Sequence, residues 1–197
     1  MPGRLIFITG GARSGKSAFA EKLARAHPGP VAYVATAVAT DEEMARRIEL
    51  HRRRRPDCWH TFECDQALGH TIEVAARDYE LIVVDCLTVY LSRLLPHVPE
   101  GQSADLRTQQ LLESRLSAEL DEVTAAVRAA GRDVIIVSNE VGFGLVPVYP
   151  AGRLFRDMVG RANQRLAAAA TFAYLVVAGM PLRLNQPAAG DLPWSAD

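Results

Sequence analysis

The sequence predicts an α/β protein whose mainly parallel sheet is covered by helices on both faces. Short apolar runs recur along the chain and alternate with longer segments of helical periodicity. Such runs are typical of parallel strands, which are buried on both faces and are therefore apolar throughout. A chain of 197 residues with 49% apolar content can bury a substantial core in one domain. We expect a single domain over residues 1–185 and a loose, proline-containing tail over 186–197.

The individual elements follow from their apolar spacing and from their start and stop signals. The predicted strands are 5–8, 31–35, 81–84, 134–137 and 174–178, and the predicted helices are 16–26, 41–54, 105–130 and 152–170. The second helix has the clearest start, because Thr40 and Glu43 form a capping box, and Pro56 follows its end. Segment 96–104 is predicted to be a loop. The uncharged stretch 166–182 is short and interrupted, which favours a helix end and a buried strand over a membrane span.

The first predicted strand leads into a phosphate-binding pattern. Gly10-Gly-Ala-Arg-Ser-Gly-Lys-Ser17, called the phosphate loop below, fits Gly-x4-Gly-Lys-[Ser/Thr] and opens a helix. Its amides and the helix N-terminus would form an anion nest, Lys16 would reach the β and γ phosphates, and Ser17 would ligate Mg²⁺. The alternative is an ordinary glycine-rich turn. Because 20 of the 22 basic residues are Arg, a Lys at this position favours phosphate binding. The sequence therefore predicts a P-loop NTPase-type, RecA-like fold that binds ATP or GTP.

A second apolar run ends in an acid that suits a magnesium site. Leu81-Ile-Val-Val-Asp85 has the pattern of a buried strand, and Asp85 stands at its end. Beside the phosphate loop, Asp85 would hold Mg²⁺ directly or through water, together with Ser17. Many buried strands end in Asp without binding metal, so this role depends on the loop.

The second predicted helix ends in a histidine and an arginine run. His51 is followed by Arg52-Arg53-Arg54-Arg55, which could be a solvated basic helix end. Met44, Ile48 and His51 share one helix face, so His51 could also be a histidine at the edge of the core. Alternatively, the guanidinium groups surround a polyphosphate and keep the imidazole neutral, so that His51 attacks phosphorus.

Charge and cysteine content exclude several function classes. The net charge of −1 gives no basic field for nucleic acid or an acidic membrane surface. Cys58, Cys64 and Cys86 lack a Cys-x-x-Cys spacing, which disfavours zinc and disulfides and favours a cytoplasmic protein. We expect no signal peptide in the N-terminal segment. The remaining histidines are assigned no chemistry: His27, His60, His70 and His97.

Several blocks in a fixed order resemble one enzyme family. They are Ile8-Thr-Gly-Gly-Ala-Arg-Ser-Gly-Lys-Ser17, Tyr33-Val-Ala-Thr-Ala37, Asp41-Glu-Glu-Met44, His51 to Pro56, Val84-Asp-Cys-Leu-Thr88, Ser138-Asn-Glu-Val-Gly142 and Gly160-Arg-Ala-Asn-Gln-Arg-Leu-Ala167. Together they are similar to the bifunctional adenosylcobinamide kinase / adenosylcobinamide-phosphate guanylyltransferase family of cobalamin assembly. The resemblance covers nearly the whole chain.

The resemblance implies two reactions and a set of site residues. His51 matches the histidine that takes up GMP covalently, and Lys16 is the second catalytic residue. The positions that match GTP contacts are Gly10, Gly11, Ala12, Arg13, Ser14, Gly15, Lys16, Ser17, Ala35, Thr36, Ala37, Arg52, Arg53, Arg54, Arg55, Glu63 and Asp85. Glu63 could equally be a strand acid that faces water. The implied substrates are adenosylcobinamide, its phosphate and ATP or GTP, the implied cofactor is Mg²⁺, and the implied assembly is a homo-oligomer.

Two other functions remain open at this point. A kinase without guanylyl transfer would use the arginines only to bind phosphate, and a nucleotide-dependent switch would alter a partner surface. Glu140, in the block after the strand 134–137, would bind substrate or metal or hold the corner, and corner chemistry favours the structural role.

Overall fold

The computed structural model describes residues 3–39, 41–95 and 105–185. Within these ranges the strands are β1 (Leu5–Thr9), β2 (Val31–Ala35), β3 (His60–Glu63), β4 (Leu81–Asp85), β5 (Asp133–Val137), β6 (Phe172–Val177) and β7 (Met180–Arg183). The helices are α1 (Lys16–Arg25), α2 (Glu42–Arg54), α3 (Leu68–Ala75), α4 (Leu87–Ser92), α5 (Leu106–Ala130) and α6 (Pro150–Ala169). The predicted loop at 96–104 and tail at 186–197 lie outside the described residues.

The five predicted strands and four predicted helices are all present, and four short elements were not predicted. Of these, α3 and α4 have eight and six residues, too few for a clear helical period, and no side chain caps either N-terminus. The edge strand β7 contains Pro181 and is exposed along its length, so it lacks the apolar run that marks the central strands.

All strands belong to one sheet in the order β3-β2-β4-β5-β1-β6-β7. Every neighbouring pair is parallel except β6 and β7. Because parallel strands end at the same edge, Thr9, Ala35 and Asp85 stand together at the carboxyl edge of the sheet. Strand β5 separates the strand that precedes the phosphate loop from the strand that ends in Asp85. The predicted mainly parallel sheet, with helices on both faces, is confirmed.

Each face of the sheet has its own core. Alternate residues of a strand point to opposite faces, so Ile8 and Val83 pack under α1, while Phe7 and Val84 pack under α3 to α6. Helix α5 buries a stripe against the second face, consisting of Leu112, Leu116, Leu120, Val123, Ala126 and Val127. The apolar stripe of this helix therefore covers its own sheet. None of the described side chains of helix α2 belongs to either core.

Two local predictions can be compared with the structure. Helix α2 is capped by Asp41, whose backbone is extended and whose carboxylate accepts a hydrogen bond from the Met44 amide, the third amide of the helix, at 2.7 Å. Thr40, the predicted first residue of the capping box, lies outside the described residues. Stretch 166–182 holds the end of α6 and then β6, as predicted. Among the described residues, no helix is long and apolar enough to span a membrane.

Candidate nucleotide site

The phosphate loop is held from two sides as it passes from β1 into α1. The carbonyl of Gly10 accepts from the amide of Glu140 at 2.9 Å, and the carbonyl of Ser14 accepts from the amide of Gly179 at 2.8 Å. Gly15, the N-cap of α1, has φ +98°, and a Cβ there would lie 3.0 Å from the Cα of Gly179. Only glycine fits this position without strain. The loop thus presents the start of α1, with its helix dipole, to an anion.

Lys16 is buried although it carries a charge. It is 8% exposed, and its Nζ donates to the carbonyl of Gly11 across the loop at 3.0 Å. The hydroxyl of Ser14 is buried in the same loop without a hydrogen-bond partner in the described structure. Buried polar groups without partners are rare in folded proteins, and the Ser14 hydroxyl lies in the loop that the sequence assigns to phosphate.

A cavity opens beside this loop, between α1, α2 and the carboxyl ends of β2 and β4. It brings together seven of the predicted site residues, namely Lys16, Ser17, Ala35, Ala37, His51, Arg55 and Asp85. Its other lining residues are Tyr33, Met44, Ile48, Cys86, Val89 and Asn139. The predicted phosphate-binding residues and the predicted nucleophile therefore face one space.

Asp85 is oriented by a buried tyrosine. The hydroxyl of Tyr33 donates to Oδ2 of Asp85 at 2.8 Å. Burial and the nearby charge of Asp85 raise the pKa of Tyr33 well above its ordinary value, so the phenol remains a neutral donor. Its hydrogen bond fixes the carboxylate at the end of β4, beside the phosphate loop.

The donor set fits a magnesium ion bound with nucleotide. Ser17 offers a hydroxyl and Asp85 a carboxylate, which are the hard oxygen ligands that Mg²⁺ prefers. Among the described residues there is no group of three or more His, Cys, Asp or Glu that could hold a metal by themselves. This agrees with Mg²⁺ chemistry, because the ion usually binds through one or two protein ligands, phosphates and water.

His51 reaches the cavity from the buried side of α2. Of the α2 side chains that the structure describes, only Met44, Ile48 and His51 are half-buried, and all three line the cavity. The shared face predicted for these residues is therefore present. This face lines the cavity, which favours a role for His51 at the ligand over the core-edge alternative.

Arg55 differs from the three arginines that precede it. Its guanidinium lies over the ring of Tyr33 at 3.6 Å, its Nη1 donates to Thr61 at 3.3 Å, and its Nε is buried without a hydrogen-bond partner. Residue 55 is the C-cap of α2 and has an extended backbone, so its side chain leaves the helix surface toward the sheet. A buried donor atom that has no partner among the described residues, on a half-buried cation, is suited to an anionic ligand.

Arg52, Arg53 and Arg54 are exposed and do not line the cavity. Arg53 pairs with Glu49 one turn earlier at 2.8 Å. The carbonyl of Arg54 accepts from Nη2 of Arg25 at 2.6 Å, which ties the end of α2 to the end of α1. Consecutive helical residues point in different directions, so four arginines in a row cannot share one face.

The remaining predicted positions surround the cavity without lining it. Thr36 is fully buried, and its hydroxyl exchanges two hydrogen bonds of 2.8 Å with the backbone of Cys86. Glu63 is exposed at the end of β3, in register with Ala35. On the phosphate loop, Ala12 and Arg13 are exposed.

Sequence reasoning missed Asn139 as a lining residue. The backbone N–H of Asn139 donates to the Thr88 hydroxyl at 2.6 Å, and its backbone carbonyl accepts from the side-chain Nδ2 of Asn163 at 3.0 Å. Thr88 and Asn163 in turn both bond to buried Ser138, at 3.0 and 2.7 Å. The sequence signal that could have identified Asn139 was its position in the Ser138–Gly142 block. In this block Glu140 takes a corner role, because its carboxylate accepts from the Gly142 amide at 2.8 Å.

The fold and the cavity together define a P-loop enzyme with a mainly parallel sheet. The chain belongs to the cobinamide kinase / cobinamide phosphate guanyltransferase family, whose model matches residues 6–184. The resemblance noted in the sequence is thereby confirmed, and the chain is an enzyme of this bifunctional class.

Curated relatives match almost end to end. The chain is 40% identical over 181 residues to the bifunctional adenosylcobalamin biosynthesis protein CobU of Escherichia coli strain K12, covering 92% of this chain and 99% of the relative. It is 41% identical over 178 residues to the bifunctional adenosylcobalamin biosynthesis protein CobP of Pseudomonas aeruginosa, covering 90% and 95%.

Two solved structures are similar at lower identity. The KaiC-like protein PH0186 of Pyrococcus horikoshii is 12% identical with a TM-score of 0.45, covering 88% of this chain and 71% of that chain. The RadB recombinase is 18% identical with a TM-score of 0.46, covering 88% and 74%.

Proposed function

We propose that this chain phosphorylates adenosylcobinamide with ATP or GTP, then transfers GMP from GTP to the product through a covalent bond to His51, giving adenosylcobinamide-GDP. One observation carries the histidine step. His51 lines the same cavity as Lys16, Ser17 and Asp85, which are the groups suited to a triphosphate.

In the kinase step, the terminal hydroxyl of the aminopropanol arm attacks the γ phosphorus and the nucleoside diphosphate leaves. Lys16 and the loop amides stabilise the transferring group, and catalysis consists mainly of positioning and charge. Ser17 and Asp85 would hold Mg²⁺. When bound, this ion neutralises negative charge on the phosphates.

In the guanylyl step, a ring nitrogen of His51 attacks the α phosphorus of GTP and pyrophosphate leaves. The phosphate of adenosylcobinamide phosphate then displaces His51, so one difficult displacement becomes two in-line steps. Arg55 supports this step, because its guanidinium can donate to phosphate oxygens and its buried Nε has no hydrogen-bond partner among the described residues.

The shared cavity supports a single nucleotide position for both reactions. Lys16 would hold the β and γ phosphates, and His51 on the facing helix would address the α phosphate. Thr36 would hold the nearby backbone in shape. Arg52, Arg53, Arg54 and Glu63 are exposed and do not line the cavity, so they would contact only the outer parts of the nucleotide.

Assembly and location are further parts of the proposal. We propose a homo-oligomer, which is supported by large exposed apolar side chains such as Phe143 at 77% and Leu145 at 97%. A cytoplasmic location is supported by Cys58, Cys64 and Cys86, all of which are free thiols.

The test uses GTP labelled separately in the α or the γ phosphate, with Mg²⁺ and without corrinoid. After denaturation, wild-type protein should retain only the α label, bound in an acid-labile, base-stable form. His51→Ala should retain none but keep the kinase activity. His70→Ala is the matched control, since His70 is exposed on α3. If wild-type protein binds GTP but retains no α label, the chain is a kinase without guanylyl transfer.

A further inference from the structure

A buried carboxylate beside the nucleotide cavity has no role in the reactions described so far. Glu21 lies in α1, is 8% exposed, and its Oε1 has no hydrogen-bond partner in the described structure. Burying a carboxylate without partners costs free energy, so such groups are rare away from functional sites.

The helix geometry directs Glu21 toward α2. It stands one turn after Ser17 on the same face of α1, and Ser17 lines the cavity. One turn further on, Arg25 donates to the carbonyl of Arg54 at 2.6 Å, so this face of α1 meets the end of α2. His51 precedes Arg54 by three residues and therefore lies on the neighbouring turn of α2.

The electrostatic surroundings agree with this placement. Burial raises the pKa of Glu21, the charges of Arg54 and His51 lower it, that of Asp85 raises it and that of Arg25 lowers it. His51 and Arg54 thus act on the Glu21 carboxylate more strongly than Arg25, which belongs to the same helix.

We propose that Glu21 is a positioning residue for guanylyl transfer, which accepts a hydrogen bond from one imidazole N–H of His51 and leaves the other ring nitrogen free to attack. The inference rests on the proposed function of His51. A neutral imidazole has one N–H and one lone pair, and the partner of the N–H decides which nitrogen is nucleophilic.

The chemistry of the step explains why a carboxylate suits this place. The free ring nitrogen forms a bond to the α phosphorus, and the bond from phosphorus to the bridging oxygen breaks as pyrophosphate takes the electron pair. The other nitrogen keeps its proton, so the ring becomes cationic as the N–P bond forms. A negative Glu21 stabilises that charge. When the acceptor phosphate attacks, the electron pair of the N–P bond returns to His51 and the ring becomes neutral again.

The two half-reactions give an internal control for the experiment. Glu21→Gln retains size but removes the charge, Glu21→Asp retains the charge on a shorter arm, and Glu73→Gln changes an exposed acid of α3 as the matched control. Single-turnover incorporation of α label from GTP measures guanylylation, and phosphorylation of adenosylcobinamide measures the kinase step. Nitrogen NMR of the imidazole reports which ring nitrogen carries the proton.

For Glu21→Gln we expect guanylylation to be slower by about 10–100-fold, as for other lost partners of a functional imidazole. The kinase rate should stay within about 2-fold, Glu21→Asp should recover part of the rate, and the tautomer population of His51 should change. An equal loss of both reaction rates would show that Glu21 has only a structural role. Loss of the kinase rate alone would indicate that Glu21 acts on the acceptor hydroxyl. No change in either rate would refute the proposed role of Glu21. Failure of wild-type protein to retain α label would instead refute the function proposed for His51.

Discussion

The phosphate loop and the helix that carries His51 are supported in different ways. The loop continues a central strand, and the backbone of Glu140 and of Gly179 bonds to its carbonyls. Helix α2 follows the strand β2, but those of its side chains that the structure describes belong to neither core. Its C-terminal end is joined to its surroundings by the Arg25–Arg54 hydrogen bond and by the contacts of Arg55 with Tyr33 and Thr61.

This difference matches the two chemistries. Phosphoryl transfer needs preorganised donors around one phosphate, and a loop fixed by a buried sheet supplies them. Guanylyl transfer needs the nucleophile to reach a phosphorus and then to present a covalent product to a second substrate. A helix held mainly at its C-terminal end suits that second task, because it can adjust without disturbing the core.

Replacement of Lys16 gives the largest expected effect. Lys16→Ala should lower the kinase rate by about 10²–10³-fold, the usual loss when one donor to a developing charge is removed. If one bound nucleotide is used in both reactions, the rate of His51 guanylylation should also fall by about 10-fold or more. A tenfold loss of rate corresponds to about 1.4 kcal/mol of activation free energy. Both rates are measured at saturating Mg²⁺, with thermal unfolding as the check on folding.

Lys22→Ala provides the matched control, since Lys22 is the second of the two lysines and is exposed near the end of α1. It should change neither rate by more than about 2-fold. Normal guanylylation in Lys16→Ala, with the kinase step lost, would mean that the loop and His51 act on separate nucleotides.

The contrast between the regions also explains what the sequence could predict. The phosphate loop was predictable because its function depends on backbone shape, and a fixed pattern of Gly, Lys and Ser encodes that shape. Strands β1, β2, β4 and β5 were predictable because burial on both faces forces apolar runs. The prediction that Met44, Ile48 and His51 share one helical face was also correct, since three residues at helical spacing must point the same way.

The side chains that complete the cavity were harder to predict. Tyr33 lines the cavity because β2 lies beside β4, and Asn139 lines it because β5 lies beside β1. Strand order is a long-range property that the local sequence pattern does not contain. Glu21 resembles an ordinary acid of an amphipathic helix until the packing of α1 on its neighbours is known. The run of four arginines indicated phosphate binding but could not show that Arg55 alone among them lines the cavity.

Within the arginine run we expect one large effect and one small effect. Arg55→Ala removes a cation with an unpartnered buried Nε, and it should slow guanylylation by about 10–100-fold, as expected for a lost hydrogen bond to a charged group. Arg53→Ala should change the guanylylation rate by less than about 2-fold, because this side chain is exposed and pairs with Glu49 on the surface of its own helix. The measurement is the single-turnover rate with α-labelled GTP. Equal effects of the two substitutions would show that the arginine run acts as a diffuse positive charge, and that lining the cavity gives Arg55 no special role.

The smallest expected effect compares two helix caps that make the same hydrogen bond. Asp41 caps α2 and Asp105 caps α5, and each carboxylate accepts from the third amide of its helix at 2.7 Å. Helix α5 buries a long stripe in the core, so fraying of its end is coupled to global unfolding. Asp105→Ala should therefore lower Tm by about 2–4 °C.

Asp41→Ala should lower Tm by less, because α2 is not part of either core and can fray locally. Its effect should appear instead as faster hydrogen exchange at the Met44 amide and as a guanylylation rate reduced about 2–5-fold, our estimate for loss of an exposed cap. Kinase activity should be unchanged in both variants. If Asp41→Ala lowered Tm as much as Asp105→Ala, α2 would unfold together with the sheet. The two regions would then form one cooperative unit, and His51 would be held as firmly as the phosphate loop.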